Sequence, residues 1–212
     1  LFPYTTLFRS PDGAAIVRLR ESEGQATVAR TEMDLEEVPA RFRTVLVLIE
    51  DGRFYRHHGI DVRSIRFALE VNLEAGEIVY GGSTITQQLT RTLFLSPRRT
   101  ILRKVVEVLL AVGLDYSLPK ERILELYLNY AEWGPGVYGA GAAARYHFGK
   151  DIDQLTVTEQ MSLLTILPNP RVFTPENFRE NPVIARRFRL IAFHYWAQEH
   201  LIRFQTRLER IE

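Results

Sequence analysis

Two helix-start signatures of the same form, Thr84-Ile85-Thr86-Gln87 and Thr156-Val157-Thr158-Glu159, punctuate a chain whose apolar residues otherwise recur at helical spacing. In each, a threonine hydroxyl and the amide or carboxylate three residues on satisfy the free backbone donors of a first helical turn. Phe42, Val45, Leu46 and Ile49 follow Pro39, which suits a helix start, and Gly52 can end that run. The Thr84 helix is expected to reach Phe94, ahead of Ser96-Pro97. A second should cover Thr100 to Leu114, and a third starts near Pro119 with Ile123, Leu124, Tyr127 and Leu128 on one side. Gly134, Gly136, Gly139, Gly141 and Gly149 bracket a loop and a short alanine-rich helix. Pro168 stops the helix begun at Thr156, and Asn181-Pro182 caps the last one. No strand pattern is read after residue 33, which argues against a sheet-based enzyme. The expectation is an all-α, mainly helical fold.

Before residue 35 the pattern differs. Between Ala14 and Glu32, Ile16, Leu19, Ala26 and Val28 flank the turn-like Glu23-Gly24, which predicts a short N-terminal β-hairpin. Residues 1–10 (LFPYTTLFRS) have neither periodicity nor continuity with the segment after them and read as an adapter-like, non-native stretch. Residues 11–34 are then a lead-in hairpin and 35–212 one domain. At 212 residues and 46% hydrophobic content the chain can fill one core and needs no second.

Charge and composition narrow the chemistry. The net charge of +1 hides a run in which Arg91, Arg98, Arg99, Arg103 and Lys104 occur with no acidic residue between them. Such a run suits an anionic ligand, and pyrophosphate matches a cluster rich in forked arginine donors. Nucleic acid fits less well, because aromatic side chains do not interleave with these charges. With no cysteine, disulfides and thiolate metal sites are excluded. The longest uncharged apolar runs, Thr44 to Ile49 and Val108 to Leu114, fall short of the ~20 residues a spanning helix needs. Any membrane anchor is expected outside these 212 residues.

Three clusters concentrate charge or amide, the first two together with glycine: Glu50 to Gly59, Gly81 to Gln88, and Arg103 to Glu107. Glu50 falls at the last turn of its helix, where the macrodipole disfavours a charged carboxylate, a setting that suits a general base. The plain alternative is a solvated helix-end glutamate. Arg103 and Glu107 lie four apart and should pair along one face. His57-His58 lacks a third ligand at helical spacing, so structural hydrogen bonding is favoured over metal binding. Capping accounts for Gln87 but not Gln88, which leaves one of the pair for a ligand.

Together the clusters resemble family 51 glycosyltransferases, the peptidoglycan polymerases that occur as monofunctional enzymes or as one domain of class A penicillin-binding proteins. The first motif, E-D-x-x-F-x-x-H-x-G, is met by Glu50, Asp51, Phe54, His57 and Gly59, and the second, G-x-x-T-x-x-Q-Q, by Gly81, Thr84, Gln87 and Gln88, with Ser83 inside it. The third, R-K-x-x-E, is met by Arg103, Lys104 and Glu107. The fourth, K-x-x-I-L-E-x-Y-L-N, is complete in Lys120, Ile123, Leu124, Glu125, Tyr127, Leu128 and Asn129. The likeness covers residues 35 to 190. Arg91 stands where the family has lysine, Phe67 beside Arg66 where it has arginine, and the fifth motif, Gln160 to Pro170, is polar at its start.

The resemblance implies a lysozyme-like fold and polymerisation of lipid II, by inverting transfer to the GlcNAc 4-hydroxyl with release of polyprenyl pyrophosphate. It implies Glu50 as base, a role worth about 10² to 10⁴ in rate. Gln87, Gln88, Arg91, Arg99, Arg103 and Lys104 would bind substrate and pyrophosphate. Asp51, Phe54, His57, Gly59, Ser83, Thr84, Lys120, Glu125 and Asn129 would support them. Glu107, the second catalytic carboxylate, either orients the cations or helps hold a divalent ion, Mg2+ or Mn2+, on the pyrophosphate; no tightly bound cofactor is expected. The implied partners are lipid II, the growing glycan strand, other cell-wall synthesis proteins and a membrane surface, on the extracytoplasmic face of the bacterial inner membrane. Phe67, Leu69 and Leu73 are the candidate membrane-facing residues. The rival readings are a lytic or lysozyme-type enzyme, which has no use for a cationic cluster, and a non-catalytic glycan-binding module, which has no need of both glutamates.

Overall fold

A computed structural model describes residues 32–77, 81–95 and 100–208, with side chains to residue 200. The hairpin expected before residue 32 and the cationic residues Arg98 and Arg99 lie outside the described residues. The all-α, lysozyme-like expectation holds. Among the described residues there are eight α-helices: α1 (Ala40–Asp51), α2 (Val62–Ala75), α3 (Ile85–Phe94), α4 (Ile101–Ser117), α5 (Lys120–Tyr130), α6 (Ala140–Phe148), α7 (Val157–Ile166) and α8 (Pro182–Leu208).

The expected caps are in place. Thr84 Oγ1 accepts from Gln87 N at 3.1 Å while Gln87 Oε1 accepts from Thr84 N at 2.9 Å, closing the box that starts α3. Thr156 and Glu159 do the same for α7, and Asn181 Oδ1 accepts from the backbones of Val183 and Ile184 at the start of α8. α4 runs three residues beyond the expected Leu114, because Pro119 lets the helix continue to Ser117 before it must break.

One expectation is corrected. A two-stranded antiparallel sheet follows α5, with β1 (Glu132–Gly134) paired to β2 (Val137–Tyr138). Three and two residues are too few to show alternation in sequence, and the pairing is driven by burial: Trp133 and Val137 are both fully enclosed.

The core is built by α1, α3, α5 and α7 with α8 laid across α1 and α7. Phe42, Val45 and Leu46 of α1 share one buried cluster with Ile85 and Leu89 of α3, Ile123 and Tyr127 of α5, Leu163 of α7 and Ile191 of α8. Fully burying side chains of this size stabilises by about 1.5–3 kcal/mol each. Two glycines set helix spacing. Gly59 sits at φ 78°, and a Cβ there would come within 2.5 Å of the Ala111 carbonyl of α4; at Gly139 (φ 91°) it would meet the Asn129 carbonyl at 2.8 Å. No helix among the described residues is long and apolar enough to cross a membrane.

Candidate active site

Glu50 occupies the last turn of α1, as its spacing predicted. Its side chain is only 9% exposed and is held from two sides. Oε2 accepts from Gln88 Nε2 of α3 at 2.9 Å, and Oε1 forms an ion pair with the Arg187 guanidinium of α8. Arg187 also reaches the Leu164 carbonyl at 3.4 Å, which ties it to the end of α7. A carboxylate offers about four acceptor positions, so these two contacts leave room for a substrate hydroxyl.

Gln88 is not free for a ligand in the sense expected. Its Oε1 accepts from the Tyr127 hydroxyl of α5 at 3.0 Å, so the amide bridges Tyr127 and Glu50 and keeps one N–H to spare. Burial, and then the Glu50 charge, push the Tyr127 hydroxyl well above the ordinary tyrosine range, against the opposing pull of Arg187 and Arg91. Tyr127 therefore stays a donor at any working pH.

The next residue, Asp51, points the other way. It is buried, and Oδ2 accepts from the backbone N–H of Ile85 at 3.0 Å while both oxygens face His57 Nε2 at 2.9 and 3.0 Å. Asp51 thus joins the end of α1 to the start of α3, where a negative charge meets free N–H groups. His57 has the structural role expected of it, packed edge-on against the buried Phe54. Thr84 adds a second clamp, donating its hydroxyl to the Gly59 carbonyl at 2.6 Å.

The third cluster converges on Glu107, which is 0% exposed. Arg103 donates to its Oε2 at 3.0 Å and Lys104 pairs with Oε1, while the same Lys104 ammonium reaches Ser83 Oγ at 3.1 Å. Arg91, on α3, is exposed. Both Glu107 oxygens are thus occupied by cations, and no group of three His, Asp or Glu side chains among the described residues could hold a metal ion. In this arrangement Glu107 fixes two cations, one through each oxygen.

The fourth motif divides. Lys120 pairs with the buried Asp115 at 2.7 Å and lies 4.5 Å above the Phe54 ring; Asp115 also accepts from Thr86 Oγ1 of α3 at 3.0 Å. Asn129 exchanges hydrogen bonds with the Met33 backbone at 2.8 and 3.0 Å. Glu125 pairs with Arg122 on its own helix. These residues anchor α5, α4 and the chain before α1, and none of their partners named here is Glu50. Arg66, beside the departure at Phe67, makes an exposed pair with Glu70.

Sequence reasoning missed Arg187, 137 residues from Glu50, and the partnership of Tyr127. Only the expected helical face of α5 hinted at the latter. The apolar surface extends beyond the expected Phe67, Leu69 and Leu73, all of them exposed. Val62 and Ile65 of α2 are exposed too, as are Ile101, Leu102, Val105 and Leu109 of α4.

Comparison with known proteins gives a coherent result. Residues 16–193 match the family model described as Transglycosylase. The chain is 49% identical over 148 residues to the biosynthetic peptidoglycan transglycosylase of Rhodopseudomonas palustris (strain TIE-1), a match covering 69% of this chain and 62% of that relative's length. It is 39% identical over 195 residues to the protein of the same name from Laribacter hongkongensis, covering 90% of this chain and 84% of the relative. It is also similar to penicillin-binding protein 1A of Escherichia coli, at 40% identity over 206 residues, 95% of this chain but 23% of that protein.

Proposed function

The chain belongs to the transglycosylase family, and on that premise we propose that it is a peptidoglycan glycosyltransferase that polymerises lipid II into glycan strands for the bacterial cell wall. The acceptor's GlcNAc 4-hydroxyl attacks the anomeric carbon of the donor sugar with inversion. Glu50 takes the hydroxyl proton, and polyprenyl pyrophosphate leaves. Two carboxylates flanking a sugar linkage is also the plan of inverting glycosidases, where water occupies a gap of about 6.5–9.5 Å; here a sugar hydroxyl takes the place of water.

The observation that carries this reading is the span of α3. Gln88, one turn into the helix, holds Glu50, and Ser83, just before its N-cap, holds Lys104 of the Glu107 cluster. The two attachment points are five residues apart in sequence, Ser83 ahead of the N-cap and Gln88 inside the helix, so base and cations are held by opposite ends of one helix start. That spacing suits a reaction in which a proton leaves one end of the reacting centre while negative charge develops on a pyrophosphate at the other. Preorganised Arg103 and Lys104 stabilise that charge without reorganising during the reaction. Arg91 and Arg99 are assigned to the same leaving group, and Glu107 acts by orienting the cations.

The exposed apolar faces of α2 and α4 are assigned to the membrane surface, where the lipid tails of both substrates remain. We place the enzyme on the extracytoplasmic face of the inner membrane, with lipid II, the growing strand and other cell-wall synthesis proteins as its partners. The deciding experiment is product analysis. Fluorescent lipid II in detergent should be converted to long glycan; cleavage of finished strands without polymer formation overturns the assignment in favour of a lytic enzyme.

A further inference from the structure

We propose that Tyr127 is a positioning residue for the base, acting through the Gln88 amide. An asparagine or glutamine amide can turn over about its last side-chain torsion and present either its oxygen or its NH2 group. Beside the Glu50 carboxylate the NH2 orientation is the favourable one, and what remains is to hold the amide at the distance and angle that reach it. Tyr127 is suited to do so. Its residue is 1% exposed, and its hydroxyl lies 3.0 Å from Gln88 Oε1. With the amide oxygen anchored on the Tyr127 hydroxyl, the NH2 edge is held where it donates to Glu50 at 2.9 Å. Three helices, α5, α3 and α1, thereby share one directional chain of donors that ends on the base. Arg187 of α8 approaches the other oxygen, so the carboxylate is fixed in rotation as well as in place.

This rests on Glu50 being the base, and the test separates the two ideas. Polymerisation of fluorescent lipid II is followed for the full chain carrying Tyr127→Phe, Gln88→Ala, both together, and Glu50→Gln, each checked for wild-type folding by circular dichroism. Tyr127→Phe should lower kcat by about tenfold with KM within twofold, the loss of one hydrogen bond in the chain. The double variant should be no slower than Gln88→Ala alone, because the hydroxyl acts only through that amide. Losses that multiply, or normal kcat in Tyr127→Phe while Glu50→Gln is inactive, overturn the positioning role and leave the base intact. Normal turnover in Glu50→Gln overturns both. If Tyr127→Phe does not fold, Gln88→Leu keeps the packing and removes both bonds. It must then lose kcat without a change in KM, and unchanged kcat refutes the proposal.

Discussion

Asp51 Oδ2 accepts the backbone N–H of Ile85 at 3.0 Å, so the residue that follows the proposed base also starts the helix that carries Gln88. The end of α1 and the beginning of α3 are therefore registered by one carboxylate, with His57 holding its far side. Asp51→Ala should cost about 1–3 kcal/mol, the penalty for leaving buried partners unsatisfied. It should also lower turnover, because Gln88 is no longer held in register with Glu50. Denaturant unfolding and a polymerisation assay on the folded fraction check both parts, and a change in stability alone would contradict the coupling.

Glu50→Gln keeps the size but lacks a basic oxygen at neutral pH, and its single acceptor can serve only one of the two donors Gln88 and Arg187. Lipid II binding should persist while polymerisation falls by about two orders of magnitude or more. Near-normal rates would redirect the search to Asp51 and Glu107.

Arg103 and Lys104 are tied to folding more closely than a surface ion pair would be, since Glu107 between them is fully buried. Arg103→Ala should destabilise by about 1–3 kcal/mol and also raise KM for lipid II. Glu107→Gln should raise KM more than it lowers kcat, because the cations lose their anchor but keep their charge. Steady-state kinetics on both variants distinguish this from direct proton transfer by Glu107, which would appear in kcat.

Asn129→Ala should show the reverse balance. The side chain makes three hydrogen bonds, two to Met33 and one to the Glu125 carbonyl, and none to the site. Melting temperature should fall while activity per folded molecule stays near wild type. A folded but inactive variant would bring Asn129 into the chemistry.

Two tyrosines give a prediction for alkaline pH. Burial pushes both the Tyr127 and Tyr195 hydroxyls above the ordinary range, Tyr127 further through the Glu50 charge. The folded state then holds protons that the unfolded chain releases near pH ~10, so their contribution to stability is complete below that pH and is lost as pH rises above it. Ultraviolet titration of tyrosinate should leave at least Tyr127 and Tyr195 un-ionised until the fold is lost. Their titration with the exposed tyrosines would count against the burial described here.

How much of this was legible in the sequence varied with the range of the interaction. Helix starts at Thr84 and Thr156, the end of α1 at Glu50 and the Arg103–Glu107 pair were all readable, because each is set by contacts within three or four residues. The family resemblance added the order of the site residues. The short β1–β2 pairing was not readable, since five residues carry no period and Trp133 is enclosed only by distant packing. Nor was the immediate environment of Glu50. Gln88 lies 38 residues away, Tyr127 a further 39, and Arg187 137 residues from Glu50. Nothing local in a glutamate, a glutamine, a tyrosine and an arginine says that they meet; they do so because α3, α5 and α8 bury their apolar faces against the core that α1 shares. The sequence therefore determined which groups the protein has for chemistry and which helices bear them, while only tertiary packing decided that Gln88 holds Glu50, that Glu107 is enclosed with Arg103 and Lys104 on its two oxygens, and that Asn129 is bound to the Met33 backbone.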